Sequence, residues 1–561
     1  MAFLATNKAE LQALGLSQLD IILITGDAYI DHPSFGTAIL GRLLESAGYS
    51  VGIIAQPDWK QDKDFLALGT PRLFFGISSG NMDSMVNHYT AQRKIRNDDA
   101  YSPDGKSGKR PDRAVMIYTN IVKRLFKGTP VIIGGIEASL RRIAHYDFWQ
   151  DKVRNSILSD SKADLLIYGM AEKPILEVAE ALKAGREISE LTCVPSTVCF
   201  VPKPDGTLLP DADLCKDKLT FHQMNRLFFE QAQTTALFQL NGGRYIKHNP
   251  PADALTTCEM DAIYQLPYMR APHPSYAGHD IPAWEQIRQS ITSHRGCYGG
   301  CNFCAISIHQ GRKIQSRSPE SILAEAKKLP GVISDLGGPS ANMYDSKCRL
   351  GFPDTCKRRS CLFPQICPNL SFDHDLQIRL LDAVAALPKI KHVFVASGIR
   401  HDMALGNRRY ISAIAQKYTG GRLKLAPEHS SDAVLKLMGK PSIERFEDFS
   451  KQYFAEVTKA GIKRQIIPYI IIGHPGTTAA DAMNLKNWLQ SNHIKVEQVQ
   501  EFTPTPMTIS TCMYYTGLDF DEGTPIPIPS PGEIRKQKEL ILGRPQRPQP
   551  GRSRDFRKKS H

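Results

Sequence analysis

The sequence has no apolar run of the roughly 20 residues that a helix needs to cross a bilayer. Its longest candidate, residues 466–472, is short and contains Pro468. The N-terminus lacks the basic start, the continuous apolar stretch and the small-residue cleavage site of a secretory signal. We therefore predict no membrane span and expect the protein to remain in the cytoplasm.

The sequence also lacks a solenoid-type internal repeat. It contains 12 cysteines, but a cytoplasmic setting argues against a disulfide framework. Seven of the cysteines fall between residues 297 and 367, and such clustering favours metal or cluster chemistry. With 561 residues, 42% of them hydrophobic and 23% charged, the chain is long enough for two or three folded domains.

Positive charge is in excess, with 70 Lys and Arg against 57 Asp and Glu. A positive field attracts phosphate groups and nucleic acid. About half of the excess lies in residues 531–561, a Pro-, Gln- and Arg-rich segment that we predict to be a disordered basic tail. A solvated tail and an RNA-contacting tail both fit this composition.

The first 193 residues alternate apolar, strand-like runs with helical patterns, as parallel βα units do. The runs are LDIILITGDAYI, SVGIIAQ, PRLFFGI, TPVIIGGIEAS and ADLLIYGMAE. They predict an N-terminal Rossmann-like α/β domain over residues 1–193. A charged loop at 97–113 is expected to project from it and to offer Lys106, Lys109 and Arg110 to an anion. Between 194 and 282 the periodicity weakens and prolines accumulate, which predicts a linking region on the surface.

From residue 283 to 530, six strand candidates are separated by helical segments. Ser318 followed by Pro319 marks one helix start, because serine caps helices and proline suits the first helical position. Six βα steps predict a partial (β/α)6 barrel of the TIM type, in which reactive groups gather at the C-terminal ends of the strands. The strand candidates lie at about 290–294, 332–338, 391–398, 422–429, 465–473 and 496–503.

Directly after the first of these strands stands HRGCYGGCNFCAISIHQG, in which Cys297, Cys301 and Cys304 are spaced C-x3-C-x2-C. A 4Fe-4S cluster usually takes four cysteine ligands, so three on one glycine-rich loop indicate an iron reserved for a non-protein ligand. Zinc is the alternative, with His294 or His309 joining two of the cysteines. The place of the motif in the strand series favours the cluster.

This motif, after the first strand of a six-step barrel, resembles the radical S-adenosylmethionine (SAM) superfamily. The segments DHPSFG, GGIEASLRR, CYGGCNFC, DLGGPSANMY, LKLAPEH and EFTPTPMT are similar, more narrowly, to the YgiQ-type radical SAM proteins. The resemblance implies a 4Fe-4S cluster whose open iron is chelated by the amino and carboxylate groups of SAM. It implies reductive cleavage of SAM to methionine and a 5′-deoxyadenosyl radical, with a reducing partner such as flavodoxin or ferredoxin. It does not supply the substrate.

The resemblance also implies SAM contacts at five further positions. Phe303, between the second and third cysteines, is expected near the adenine. Gly337 and Gly338, which end the second strand, are expected to receive the SAM amino group. Arg400 and Glu428, at later strand ends, are the expected carboxylate and ribose contacts, with an ion pair, cap or turn as the alternative for each.

A second cysteine group, Cys348, Cys356, Cys361 and Cys367, lies in a segment rich in Arg, Lys and Pro. Four thiols in one short segment can enclose an ion or a cluster. Their spacings of seven, four and five intervening residues match no simple zinc ribbon. An auxiliary iron-sulfur cluster, a zinc site and free cysteines without metal all stay open.

The N-terminal domain resembles the cobalamin-binding domain that precedes the barrel in several radical SAM enzymes. Those domains present a histidine to cobalt from Asp-x-His-x-x-Gly, whereas here Asp31 adjoins His32. We therefore do not expect cobalamin, although GGIEAS from Gly134 matches the later glycine loop. Two alternatives stay open, namely a cobalamin-dependent methyltransferase that uses His32, and a non-catalytic iron-sulfur protein that binds RNA through the tail, the basic loops and Tyr298.

Overall fold

The computed structural model describes residues 2–352 and 356–543. It consists of an N-terminal α/β unit followed by a second α/β unit that carries the cysteine motif. Across these described residues, no helix is both long enough and apolar enough to cross a membrane.

The elements of the N-terminal unit are numbered along the chain. Its strands are β1 Ile21–Thr25, β2 Ile30–Asp31, β3 Val51–Ala55, β4 Phe74–Ser78, β5 Val131–Gly134, β6 His145–Asp147, β7 Lys152–Arg154, β8 Leu165–Ile167, β9 Thr197–Val201, β10 Thr207–Leu208, β11 Leu237–Asn241, β12 Arg244–His248 and β13 Ala271–Pro272. Its helices are α1 Lys8–Ala13, α2 Gly36–Ser46, α3 Ser84–His88, α4 Ala114–Leu125, α5 Gly135–Ser139, α6 Ile157–Ser161, α7 Glu172–Lys183, α8 Lys218–Gln231, α9 Thr257–Gln265 and α10 Pro282–Ile287.

Nine of these strands form one sheet in the order β10-β11-β12-β9-β8-β5-β4-β1-β3. The part from β8 to β3 is parallel throughout. β1 reads IILIT and is buried at every position, as expected of a strand in a sheet covered on both faces. The parallel part has the doubly wound order 2-1-3-4-5, counted along the chain. The predicted Rossmann-like unit is confirmed.

Residues 194–282 contribute to this sheet instead of forming only a linking region. β9 to β12 extend it, mostly with antiparallel pairing. β11 and β12 form a hairpin around Gly242 and Gly243, which both have positive φ. Asn-Gly-Gly between two apolar runs is a hairpin signal, but the surrounding prolines obscured it.

Part of the loop at 97–113 folds back onto the sheet, whereas Lys106 and Lys109 are exposed. Arg110 is buried, and its guanidinium pairs with Asp27 at 2.9 Å and Asp99 at 3.3 Å. The chain's own carboxylates are therefore the anions that this arginine meets.

The elements of the second unit continue the numbering. Its strands are β14 Ser290–Thr292, β15 His294–Arg295, β16 Gln315–Ser316, β17 Gly331–Ile333, β18 Asp335–Gly337, β19 Lys347–Cys348, β20 Leu370–Ser371, β21 Ile390–Val393, β22 Arg422–Glu428, β23 Gln465–Ile472 and β24 Gln500–Glu501. Its helices are α11 Ile306–Gln310, α12 Pro319–Ala326, α13 His374–Ala385, α14 His401–Ala404, α15 Arg408–Ala413, α16 Asp432–Met438, α17 Ile443–Lys459, α18 Ala479–Ser491, α19 Ile509–Thr516 and α20 Pro531–Leu542.

Each of the six predicted strand positions of the second unit contains a strand. β14 pairs in parallel with β18, β17 with β21, and β22, β23 and β24 with one another in sequence. The predicted helix start is present, since the Ser318 hydroxyl accepts a hydrogen bond from the Ser321 N–H at 3.1 Å. The partial barrel of the TIM type is confirmed.

The predicted disordered tail begins with a folded helix. α20 is capped by Ser530, and its Ile534 is buried against β23. The Gln537 side-chain oxygen accepts a hydrogen bond from the Gly473 N–H at 3.0 Å. An amphipathic face thus attaches α20 to the second unit, while the rest of the predicted tail, residues 544–561, lies outside the described residues.

Candidate functional site

Cys297, Cys301 and Cys304 lie on one loop, residues 296–304, between β15 and α11; we call it the cysteine loop. The Cys297 N–H donates to the Gly311 carbonyl and the Cys304 N–H to the Cys301 carbonyl, both at 3.1 Å. The Asn302 N–H donates to the Met438 carbonyl at 2.9 Å. These backbone bonds fix the loop and bring the three predicted thiols together.

Two glycines make the turn of the cysteine loop feasible. Gly296 has φ +89° and Gly300 has φ +59°, in the left-handed region that favours glycine. A Cβ at Gly296 would overlap the Lys313 carbonyl, and one at Gly300 would overlap the Arg359 carbonyl. The sequence motif C-x3-C-x2-C therefore needs its glycines for steric reasons.

The thiols of the cysteine loop are costly to ionise on their own. Burial, reinforced by the neighbouring Cys301, raises the pKa of Cys297 to about 11 and that of Cys304 to about 12. A bound metal reverses this cost, because cysteine ligates metals as the thiolate. The Arg400 guanidinium also lies beside these thiols, with Nη1 at 3.6 Å from Cys301 Sγ. The donor set fits an iron-sulfur cluster.

The zinc alternative receives no support from the histidines named for it. His294 Nδ1 lies 2.9 Å from the Ser293 hydroxyl, and His309 Nδ1 lies 3.0 Å from the Ser139 hydroxyl. Throughout the described part of the chain, no group of three or more His, Cys, Asp or Glu is arranged around a single-ion site. A 4Fe-4S cluster differs in this respect because each thiolate binds a separate iron.

Arg400 and Asp402 form a buried ion pair beside the cysteine loop. Arg400 Nε and Nη2 donate to the Asp402 carboxylate at 2.9 and 2.7 Å, and the Arg400 N–H donates to the Asn342 side chain at 2.8 Å. Although burial opposes it, the guanidinium holds the pKa of Asp402 well below its usual range. Sequence reasoning named Arg400 but missed Asp402. The only signal for Asp402 is its position two residues after Arg400 in IRHD.

We predict that Asp402→Asn destabilises the protein by about 3–5 kcal/mol, because it leaves the Arg400 charge buried without its counter-ion. The free energy of unfolding in urea is the measurement. Asp62→Asn is the matched control, since it removes the exposed ion pair with Arg124 and should leave stability unchanged within error. Equal stability of Asp402→Asn and wild type would contradict the assigned role.

Glu428 ends β22 with φ +73°, a conformation uncommon for a residue other than glycine and frequent at functional sites. Its carboxylate lies 3.6 Å from Lys440 Nζ, and Lys440 Nζ also donates to the Ala426 carbonyl at 2.6 Å. Burial raises the pKa of Glu428, and Lys440 opposes that rise. The Glu428 charge also contributes to the raised pKa of Cys304, which places it beside the cysteine loop.

The remaining predicted SAM positions lie at crowded strand and loop ends. A Cβ at Gly337 would overlap the Ser397 hydroxyl, and one at Gly338 would lie 2.6 Å from the His294 ring, so neither position has room for a side chain. Phe303 is half-buried, with its ring edge-on to His474 at 6.4 Å between centroids.

The second cysteine group packs directly on the cysteine loop. The Cys361 N–H donates to the Tyr298 carbonyl at 3.0 Å, and the Ser360 hydroxyl donates to the Gly299 carbonyl at 2.6 Å. Tyr298 itself is 0% exposed, so it cannot stack on an RNA base. Tyr298 therefore no longer supports the RNA-binding alternative.

Three thiols of the second group lie near one another. Burial raises the pKa of Cys361, with Cys367 and Cys356 acting in the same direction and Arg312 opposing them. The Cys367 N–H donates to the Cys361 carbonyl at 2.8 Å. The fourth, Cys348, pairs with Leu370 between β19 and β20, close along the backbone to Cys367.

His32, the residue of the cobalt-ligand hypothesis, is held through one of its two ring nitrogens. His32 Nδ1 accepts a hydrogen bond from the Ser34 N–H at 3.1 Å, and its ring packs edge-on against Trp284. Asp31, its neighbour, is engaged by Arg42. The carboxylate that would accompany such a histidine is therefore part of a structural ion pair.

A cavity of about 340 Å³ reaches the cysteine loop at Cys301 and Cys304. Cationic residues from both units line it, and their convergence depends on tertiary folding. They are Arg142, Lys173, Arg312, Lys313 and Arg359.

Comparison with known proteins gives two family models and several relatives. The model described as Radical SAM N-terminal matches residues 3–290, and that described as Radical SAM superfamily matches residues 291–489. A UPF0313 protein of Rhodopseudomonas palustris is 47% identical over 553 residues, which cover 92% of this chain and 82% of that protein. The UPF0313 protein YgiQ of Escherichia coli is 44% identical over 586 residues, covering 92% and 79%.

Solved structures give a more distant likeness. The radical SAM methyltransferase TsrM from Kitasatospora setae, solved with cobalamin and a [4Fe-4S] cluster bound, aligns with a TM-score of 0.49 at 14% identity, covering 93% of this chain and 81% of that one. The cobalamin-dependent SAM radical enzyme OxsB aligns with a TM-score of 0.48 at 13% identity, covering 94% and 55%.

Proposed function

Because this chain belongs to the radical SAM superfamily and, within it, to the UPF0313 (YgiQ) family, we propose that it is an enzyme that cleaves SAM reductively to modify a substrate. The observation that carries the proposal is the convergence of Cys297, Cys301 and Cys304 on one half-buried loop with Arg400 facing it.

In this proposal the three thiolates hold a 4Fe-4S cluster with one open iron. When bound, such a cluster would supply the electron for reductive cleavage of SAM to methionine and 5′-deoxyadenosine, and a partner such as flavodoxin or ferredoxin would in turn reduce the cluster. The chain's own residues bind the cofactors, orient them and exclude water. Burial of the cysteine loop and of the Arg400–Asp402 pair supports that role.

The proposal assigns SAM contacts to residues that end the barrel strands. The bare backbone at Gly337 and Gly338 receives the amino group, and the half-buried Phe303 packs near the adenine. Arg400 binds the carboxylate of SAM. Its Nη1, the guanidinium nitrogen that does not bind Asp402, already faces the cysteine loop. Glu428 contacts the ribose from its strained position at the end of β22.

The test is anaerobic reconstitution with iron and sulfide, followed by dithionite and SAM. We expect 5′-deoxyadenosine and methionine to form in equal amounts, measured by liquid chromatography with mass detection. Loaded, reduced protein that binds SAM but forms no 5′-deoxyadenosine above a protein-free blank would overturn the proposal.

For the ribose contact we predict that Glu428→Gln weakens SAM binding by about tenfold or more, since a hydrogen bond to a charged group contributes about 1.5–3 kcal/mol. Calorimetric titration of the reconstituted protein with SAM is the measurement. Iron content should stay at the wild-type value, and Glu444→Gln, an exposed change in α17, should bind SAM normally. Unaltered affinity in Glu428→Gln would remove this residue from the SAM site.

A further inference from the structure

The cavity of about 340 Å³ that reaches the cysteine loop lies between the two units; we call it the cationic cavity. Arg142, which follows α5, and Tyr168, which follows β8, line it from the N-terminal unit, and Cys301 and Cys304 line it from the second unit. Its volume falls within the range of about 300–1,000 Å³ typical of ligand sites. A molecule bound there would contact both units and lie beside two of the three thiols.

Arg142 is a buried cation without a carboxylate partner. It is only 3% exposed, and none of the described Asp or Glu residues forms an ion pair with it. Burial therefore lowers the pKa of Arg142 to about 10. Arginine is rarely buried unless it is paired. The other buried arginines of the described chain follow that rule, since each forms an ion pair with Asp or Glu: Arg42, Arg110, Arg141, Arg295, Arg317 and Arg400.

Neutral groups hold the Arg142 guanidinium in place. Nε donates to His248 Nε2 at 3.0 Å, and Nη1 donates to the Ser139 carbonyl at 2.7 Å. The guanidinium carbon lies 4.5 Å from the centroid of the Tyr168 ring and 5.1 Å from that of Phe228, within the range of a cation–π contact. Burial holds the pKa of His248 well below its usual range, so that ring is neutral. These contacts orient the cation but do not neutralise it.

Arg142 lies beside α11, the helix that follows the cysteine loop. The Ser139 carbonyl that accepts from Arg142 belongs to the residue whose hydroxyl lies 3.0 Å from His309 Nδ1. Burial lowers the pKa of His309 to about 4, and Arg142 acts in the same direction. Because His309 lies in α11, the unpaired cation is placed within one short helix of Cys304.

The other charges that line the cationic cavity leave it positive. Arg312 and Lys313 form no ion pair within the described residues, and Arg312 Nε is buried without an acceptor there. Arg312 Nη2 lies 3.9 Å from Cys361 Sγ. Against these cations stands the exposed Asp253. The remaining charged lining residues are already paired: Glu172 with Arg295, Lys173 with Glu259, and Arg359 with Asp521.

Apolar side chains line another part of the cationic cavity. Phe228 and Phe229 come from α8, Ile308 from α11 and Ile509 from α19. Apolar walls with a few convergent polar groups are typical of sites for small molecules. The walls would bury a carbon skeleton, and the cations would bind an anionic group attached to it.

We propose that the cationic cavity binds the substrate, a small molecule with a carboxylate or phosphate against Arg142 and an apolar body against Phe228 and Ile308. This inference rests on the proposed function, which makes a molecule held beside the cysteine loop a substrate. Carboxylate and phosphate are the groups that a guanidinium binds most strongly. Either would give Arg142 the counter-ion that the other buried arginines have.

Benzoate and phenyl phosphate are the two probes, and benzamide and phenol are their neutral counterparts. Each is titrated into cluster-loaded protein with saturating SAM, and binding is measured by ligand-observed nuclear magnetic resonance under anaerobic conditions. We expect at least one anion to saturate a site and to bind about tenfold or more tightly than its neutral counterpart. Equal binding of anion and neutral counterpart, or displacement of SAM by the anion, would overturn the proposal.

Two variants test the cations themselves. Arg142→Met keeps an apolar stem but removes the charge, so it should weaken binding of the anion by about tenfold or more and leave binding of the neutral counterpart unchanged. Arg312→Met, at a less buried position, should weaken binding of the anion by about threefold or more. Arg244→Met is the matched control, since Arg244 also stacks on an aromatic ring, that of Phe200 at 3.6 Å, but is exposed and does not line the cavity. It should bind the anion as wild type does.

Thermal unfolding and iron content identify any variant that has lost its fold, and Arg312→Met decides the question if Arg142→Met has done so. Wild-type affinity for the anion in the folded variant would contradict the inference. Formation of 5′-deoxyadenosine by the wild type is measured separately, without probes. If it forms and neither anion binds, the inference fails alone; if an anion binds and none forms, the anion site stands and the proposed function fails.

Discussion

Replacing Cys301 with alanine should reduce formation of 5′-deoxyadenosine to the level of a protein-free blank. The variant leaves two thiols on the cysteine loop, and two ligands do not hold a 4Fe-4S cluster that already lacks a fourth cysteine. It also leaves Arg400 Nη1 without the sulfur that it faces at 3.6 Å. Iron and sulfide analysis after anaerobic reconstitution should show a loss of about four irons per chain relative to wild type.

Two control variants separate loss of the cluster from loss of a cysteine. Cys258→Ala removes an exposed thiol in α9, and Cys512→Ala removes a thiol buried in the hydrophobic core. Both should retain wild-type iron and wild-type SAM cleavage, although Cys512→Ala is expected to cost some stability through its small cavity. Wild-type cleavage of SAM by Cys301→Ala would refute the assignment of the cysteine loop.

Local patterns in the sequence were enough to predict most of the architecture. Buried strands such as IILIT and helix starts such as Ser318-Pro319 carry their signal within a few residues, because burial and capping depend on near neighbours. The motif around Cys297 is likewise local, and its position after the first barrel strand gave the expected placement. Each of these features is present in the structure.

Features that depend on distant residues were the ones predicted incorrectly or missed. Arg110 pairs with Asp27, 83 positions earlier, and Glu172 pairs with Arg295 across the two units. No periodicity reports such pairs, since only tertiary folding brings them together. For the same reason Arg110 was expected at the surface, and the cavity between the units was not anticipated.

The errors at 194–282 and 531–543 have a related cause. Proline-rich flanks and short strands weakened the periodic signal around the hairpin of Gly242 and Gly243. In α20 the high charge suggested disorder, yet Ile534 and Gln537 on one face are buried against the barrel. In both segments tertiary packing outweighed local composition, as it often does for short elements.

After reconstitution, Cys361→Ala should contain about four irons per chain fewer than the wild type. We propose that the second cysteine group holds an auxiliary iron-sulfur cluster. Burial is the main cause of the raised pKa of Cys361, and the neighbouring Cys367 and Cys356 act in the same direction. A bound metal would stabilise such neighbouring thiols as thiolates.

The two cysteine groups should respond differently to SAM. SAM binds the open iron of the first cluster, so its electron paramagnetic resonance signal in the reduced state should change on addition of SAM in both wild type and Cys361→Ala. The Cys361→Ala signal should lack a second, SAM-insensitive component that the wild type shows. Because Cys361 supports the backbone at Tyr298, retention of the first signal also shows that the cysteine loop is intact.

Metal analysis decides between the three readings of the second group. Loss of iron with Cys361→Ala supports the auxiliary cluster, and Cys348→Ala should then show whether the thiol in β19 is its fourth ligand. Zinc in place of the additional iron, or identical metal content in Cys361→Ala and wild type, would refute it. The second group packs on the cysteine loop, where the Ser360 hydroxyl donates to the Gly299 carbonyl at 2.6 Å. An auxiliary cluster there would therefore lie near the first cluster. It could pass electrons to the first cluster or position a substrate beside it.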